Sequence, residues 1–273
     1  MSEPRTLGRD ARDSGVVPES PRPILEIRGV SKTYNSATGP GVRALEPVDL
    51  SIRPGEFISF VGPSGCGKST LLNIVAHLLE PTTGSIAIEG VEQRSPSRQV
   101  GFMFQAPVLL PWRTVEQNVL LPADIFGIGH KEIVDKAREV IGRVGLGDFT
   151  KAYPKQLSGG MQQRVALARV LTYEPKILLM DEPFGALDEF TREAMNLELI
   201  RIARSAGITV IFVTHNIQEA VFLADRVVVM SPRPGRVSGV IDIPFGQIRE
   251  IDLMHSTTFT DLTFEVRNIL KGD

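Results

Sequence analysis

Residues 57–70 read FISFVGPSGCGKST. The apolar run Phe57–Val61 is strand-like, the glycine-punctuated loop Gly62–Ser69 follows it, and a helix is expected over Lys68–Leu79. This is the pattern G-x-x-x-x-G-K-[ST] in its strand–loop–helix setting. Its glycines, Gly62, Gly65 and Gly67, let the backbone wrap a phosphate with N–H groups pointing inward, and the helix N-terminus adds a favourable dipole. Lys68 is placed to reach the β- and γ-phosphates, and Ser69 to set its hydroxyl on Mg²⁺. The loop therefore predicts bound nucleotide, with Pro63, Ser64, Cys66 and Thr70 completing the contact. Cys66 stands near a helix N-terminus, where a thiol is expected to be reactive and shielded by nucleotide.

Outward from the loop, strand-like runs appear at Ile24–Arg28, Ser85–Ile88 and Val100–Phe104, and Asn35–Arg43 (NSATGPGVR) reads as a loop. In His130–Val144, Ile133, Ala137, Val140, Ile141 and Val144 share one helical face, and Gly145 follows as a stop. Then come strand Lys176–Met180, helix Glu189–Ser205, strand Ile208–Val213, helix Asn216–Leu223 and strand Arg226–Met230. That alternation predicts an α/β fold with a parallel sheet. The helix-rich stretch of about 105–160 interrupts it as an inserted α-helical subdomain. Residues 1–22, rich in Pro, Ser, Arg and Asp, read as a disordered tail. The main domain is expected over 23–245, with a C-terminal extension over 246–273.

Bulk properties narrow the partners. The 273 residues carry a formal charge of −2, which lacks the basic excess a nucleic-acid binder uses. With one cysteine no intrachain disulfide can form. The longest apolar runs are strand-sized, well short of the roughly 20 residues that span a bilayer, and the N-terminus has no signal-peptide core. Work at a membrane is expected to proceed from the cytoplasmic face through a partner.

The apolar strand Ile177–Met180 delivers Asp181-Glu182 to its C-terminal end, where open α/β sheets place their sites. Asp181 is expected to hold Mg²⁺ through its water shell and Glu182 to deprotonate the attacking water. His215, ending another strand, is a candidate donor to the γ-phosphate. His77, His130 and His255 lack such placement and read as structural. Tyr34, following the first strand, reads either as a packing residue, the commoner role of a lone Tyr, or as a stack on adenine.

Leu157–Gly160 (LSGG, within LSGGMQQR) opens a helix expected over Met161–Thr172, a second phosphate-facing helix N-terminus far along the chain from the first. One chain has no evident use for both ends on one ATP, whereas two chains packed head-to-tail do. Taken with the loop at Gly62–Thr70, Gln105, ILLMDEP at Ile177–Pro183, ALD at Ala186–Asp188 and His215, this order of motifs resembles the ABC ATPases over about 24–245. Met161 departs from the glutamine the family most often has there. The resemblance implies a P-loop NTPase fold with a small antiparallel β subdomain, and a sandwich dimer that closes on ATP and opens after hydrolysis. In that dimer Ser158, Gly159 and Gly160 would face the partner's ATP. Gln105 would ligate Mg²⁺ and report to the membrane partner, and Asp188 would couple the two sites.

Several further stretches resemble the nitrate/sulfonate/taurine importer branch: FQAPVLLPWRTVEQNVLLP, ALDEFTREAMNLEL, MSPRPGRV at Met230–Val237 and a tail at Ile251–Val266. The branch implies separate permease subunits and a periplasmic or lipid-anchored solute-binding protein. Val108, Leu109, Leu110 and Trp112, on an expected loop, read either as subdomain core or as a groove for a permease helix. A non-transport ABC ATPase or an exporter cassette is the alternative. The chain lacks the former's long coiled coil or second cassette and the membrane spans often fused to the latter.

Overall fold

A computed structural model describes residues 22–35, 41–128 and 130–272, with the side chains of 130–132 excepted. The tail expected over 1–22 lies outside them but for Arg22, as does the middle of the loop expected at Asn35–Arg43.

Uninterrupted apolar runs, rich in β-branched residues, fit strands buried on both faces. Such runs form β3 (Phe57–Val61), β7 (Ile177–Asp181), β8 (Thr209–Thr214) and β9 (Arg226–Met230), whose side chains are almost wholly buried. With β6 (Val100–Met103) and β10 (Val237–Asp242) they make a six-stranded sheet, ordered β10-β9-β3-β8-β7-β6. All pairings are parallel except that of β10, an antiparallel edge. The sheet is flanked by α1 (Lys68–Val75), α5 (Gly159–Leu171), α6 (Glu189–Ala206) and α7 (Ile217–Leu223). The α/β fold and parallel sheet expected from the alternation are present.

A second, antiparallel sheet has the order β2-β1-β4-β5, from β1 (Leu25–Tyr34), β2 (Val42–Ile52), β4 (Thr83–Ile88) and β5 (Val91–Glu92). The sequence does not announce β2, because Pro47 interrupts it. Pro47 is exposed on an edge strand, and the pairing slips there: Val30 faces Val48 but Lys32 faces Leu45. An edge and a bulge are where a strand tolerates the missing N–H.

Between Gln105 and Gly160 lie α2 (Val115–Val119), α3 (Leu121–Phe126) and α4 (His130–Arg143). Ala137, Val140, Ile141 and Val144 are buried as the periodicity requires, in one cluster with Val165 and Leu167 of α5. Helix α1 is shorter than expected: it ends at Val75, because His77 takes a left-handed φ of 54° and the amides of Leu78 and Leu79 turn back to the Asn73 carbonyl.

The C-terminal extension contains a helix the pattern did not call, α8 (Thr257–Lys271), capped by Ser256, whose hydroxyl accepts from the Phe259 amide. Phe259, Leu262 and Val266 form its buried stripe against α7, β9 and β10. The Phe259 ring stacks on Phe245, with centroids 6.3 Å apart. Phe259→Ala should therefore destabilise the fold by about 3–5 kcal/mol in urea unfolding, and a cost below about 1 kcal/mol would show that α8 is not integral to the core.

Candidate active site

The loops that leave the C-terminal ends of β3, β7 and β8 meet above the sheet. After β3 the chain turns tightly: a Cβ on Gly62 would stand 2.8 Å from Cys66 Sγ and 3.0 Å from the Met230 carbonyl oxygen. Gly67, at φ 106°, caps α1 in a conformation closed to other side chains. Lys68 is buried, and its Nζ donates to the carbonyls of Gly62 (2.8 Å) and Pro63 (3.1 Å), so the ammonium lies within the curve of the loop. Cys66 is 1% exposed. This overturns the expectation of a reactive, nucleotide-shielded thiol: Sγ packs into the core beneath the loop, out of reach of an alkylating reagent.

Ser69 Oγ donates to Asp181 Oδ1 at 2.9 Å. Burial pushes the Asp181 carboxyl above its ordinary range; the Ser69 bond draws it down, Glu182 pushes it up and Lys68 draws it down. Glu182 adopts a left-handed φ of 45°, with its amide donating to the Val213 carbonyl, so the chain swings out of the sheet one residue after Asp181. Its Oε2 lies 3.0 Å from Nδ1 of His215, whose side chain is 60% exposed. Gln105 is exposed, and its carbonyl accepts from Gln163 Nε2. A Cβ on Gly185 would stand 3.8 Å from both Gln105 Nε2 and Glu182 Oε2, so the amide and the carboxylate face a common space.

A cleft of about 250 Å³ lies over the loop, walled by Tyr34, Ser64, Gly65, Gly67, Lys68, Ser69, Thr70 and Glu182. Tyr34 stands at the end of β1 with its hydroxyl 3.4 Å from Thr70 Oγ1. Ser158, Gly159, Gly160 and Asp188 do not line the cleft. They form a unit of their own. Ser158 caps α5, Asp188 caps α6 by accepting from the Thr191 amide, and a Cβ on Gly160 would meet Thr191 Cγ2 at 2.7 Å. Hydrogen bonds from Thr191 hold the Asp188 carboxyl below its ordinary range. Met161 is half-buried against the core, and its amide donates to Ser158 Oγ.

The donor set suits Mg²⁺. A hydroxyl and a carboxylate touch, both are hard oxygens, and the carboxylate's burial favours a cationic neighbour. Among the described residues no cluster of three or more His, Cys, Asp or Glu could cage an ion.

Four further residues contribute that no motif marks. Ala44 and Arg233 also line the cleft. Gly235 lies against the phosphate loop so closely that a Cβ would fall 1.7 Å from the Cys66 carbonyl oxygen, and its amide donates to the Ala44 carbonyl. The Pro-Gly turn before β10 was visible in the sequence, but not what it touches. Glu219, buried behind the Glu182–His215 pair, accepts from the Thr214 hydroxyl, and its burial raises its pKa.

Residues 45–185 match the sequence profile of a family described as ABC transporter. The chain is 46% identical over 218 residues to an aliphatic sulfonates import ATP-binding protein of Bacillus cereus, covering 80% of this chain and 85% of that one. It is 43% identical over 221 residues to a taurine import ATP-binding protein of Jannaschia sp., covering 81% and 82%. Among solved structures, an ATP-binding cassette determined as a dimer in a post-hydrolysis state with ADP and Pi superimposes with a TM-score of 0.71 at 36% identity. That match covers 81% of this chain and all of the other.

The raised pKa of Asp181 has a consequence for stability. With the folded pKa above the unfolded one, the group favours the fold below its ordinary value and weakens it as pH rises through the raised value. Asp181→Asn should melt at or above the parent at about pH 7, the gap closing toward about pH 3. A variant that melts well below the parent at neutral pH would show that the carboxylate is a net structural asset.

Proposed function

The chain belongs to the ABC transporter family of ATPases, and from that premise we propose that it powers an importer for a small solute of the sulfonate, taurine or nitrate kind. The observation that carries the reading is the meeting of Lys68, the Ser69–Asp181 pair and the Glu182–His215 pair at adjacent strand ends. ATP lies in the cleft, its adenine against Tyr34 and its phosphates in the loop Gly62–Thr70. Ser69, Asp181 and Gln105 would hold Mg²⁺, which would supply charge neutralisation for the phosphates when bound. Lys68 draws negative charge from the transferred phosphoryl group. Glu182 takes the proton of the attacking water; His215, which here lies with Nδ1 against that carboxylate, turns an N–H to the γ-phosphate when ATP is bound.

The LSGG turn and Asp188 act in trans. They lie outside this chain's own cleft, and they serve a second copy packed head-to-tail, each ATP shared between one loop and the other copy's Ser158–Gly160. Closure and opening of that pair is the mechanical output.

The permease takes its cytoplasmic helix to the loop at Val108–Trp112. Leu109 packs on the core while Val108 and Trp112 stand 57% and 70% exposed. Arg169 of α5 clamps this loop through the carbonyls of Pro107 and Val108, and Asn118 through those of Leu110, Arg113 and Thr114. No helix among the described residues is long and apolar enough to cross a membrane. A solute-binding protein and the permease choose the solute.

Glu182→Gln should keep ATP affinity while hydrolysis falls about 10²–10⁴-fold, and near-normal turnover would remove Glu182 from the base role. The tagged variant, trapped with ATP in its native membranes, should co-purify with a polytopic membrane protein. Recovery of ribosomal or DNA-associated proteins alone would overturn the importer reading.

A further inference from the structure

The opposite end of the sheet holds a second charged cluster, at the N-terminal ends of β3 and β9. Asp225, just before β9, is fully engaged: its Oδ2 accepts from the Phe57 amide (2.9 Å) and from Arg204 Nη1 (2.9 Å), and its Oδ1 accepts from Arg204 Nη2. Arg204 is the basic residue of the last turn of α6 and also reaches the Gly55 carbonyl.

Beside this pair lies Arg249, from the segment that follows β10. Its side chain is fully buried, with Cζ 5.3 Å from the centre of the Phe245 ring. Nη2 donates to the Ala224 carbonyl at 3.1 Å and stands 3.9 Å from Asp225 Oδ1. Its Nε and Nη1, like Nε of Arg204, find no partner among the described residues. Burial lowers its pKa to about 10, Asp225 opposing and Arg204 reinforcing the shift, so the group is charged at neutral pH. A buried guanidinium with two unpaired nitrogens is costly, because N–H groups taken from water require another acceptor.

A cleft of about 400 Å³ opens at this place, and Arg201, Arg204 and Arg249 all line it. Arg201 forms no ion pair among the described residues, Asp225 is spent on Arg204, and Glu250 is the one carboxylate on the lining. Ser205 and Gln247 add neutral polar groups. Two guanidinium groups with buried, unsatisfied donors and a third, exposed one at Arg201, around a cleft of this size, are a recognition set for a planar or tetrahedral oxyanion.

We propose that this cleft, between the last turn of α6 and residues 247–250, binds a small oxyanion of the sulfate, phosphate or sulfonate kind, with Arg249, Arg204 and Arg201 as its donors. The site stands at the end of the sheet away from the ATP cleft, so it does not depend on the transport reading. It ties the extension that carries α8 to the ATPase core through the bound anion.

The test uses the full chain saturated with a non-hydrolysable ATP analogue and Mg²⁺, so that the γ-phosphate position is filled and the phosphate loop cannot take the probe. Sulfate, inorganic phosphate and ethanesulfonate are titrated separately by calorimetry against chloride at constant ionic strength. At least one should bind saturably with one site per chain, which also identifies the headgroup preferred. Arg249→Met should weaken that binding tenfold or more, and Arg201→Ala, an exposed change that leaves the core intact, severalfold. If Arg249→Met fails to fold, Arg201→Ala decides alone. No saturable binding, or binding equal in the parent and the variants (an adventitious ion only), would overturn the proposal.

Discussion

Everything at the nucleotide site depends on the register of three parallel strands. Val61 pairs with Thr214, and Asp181 pairs with Val213. Gly62, Glu182 and His215 therefore leave the sheet side by side, each one residue past the last paired position or next to it. Side chains alternate along a strand, so a slip of one residue would turn Asp181 away from Ser69 and bury what must face the cleft. The register is held by side chains with no polar alternative: Phe57 and Phe212 are buried on the side of α5, α6 and α7, and Phe60 and Leu179 on the side of α1 and the antiparallel sheet.

On that frame the cleft brings together the loop Gly62–Thr70, the Ser69–Asp181 oxygen pair and the Glu182–His215 pair, and under the proposed reading it is half a site, with nothing that closes over its far side. The LSGG turn that could do so packs instead on the start of α6. Its helix, α5, carries this turn at one end and at the other Arg169, which holds the backbone of the exposed loop at Pro107–Val108. A single rigid element thus joins the surface proposed for the partner's ATP to the surface proposed for the permease. A 13-residue helix moves as a unit, so a shift at its N-terminus is felt at its last turn.

The sequence made the central chemistry legible because that chemistry is local. A phosphate cradle needs its glycines at fixed offsets, and a strand that ends in Asp-Glu declares its own C-terminal edge. The parallel strands were readable from apolar runs, and α4 from its periodicity and Gly145. What escaped was non-local or masked by an exception. Pro47 hid β2, since the edge position and bulge that excuse it are visible only in the sheet. Helix α8 went unread because its buried stripe of Phe259, Leu262 and Val266 is set among exposed residues such as Phe264. The contact of Gly235 with Cys66 joins residues 169 positions apart, and no spacing rule reaches that far. Burial of Cys66 was misjudged for a related reason: proximity to a helix start says nothing about which way the thiol points.

Sharing of one nucleotide between two copies is the claim on which the functional reading turns, and light scattering on the purified Glu182→Gln protein measures it. With ATP and Mg²⁺ the mass should double from the 29.9 kDa monomer, and a Ser158→Glu change, which sets a like charge against the partner's phosphates, should abolish the doubling while leaving ATP binding to the monomer intact. A mass that stays monomeric with saturating ATP, or a dimer indifferent to ATP and to Ser158, would contradict it.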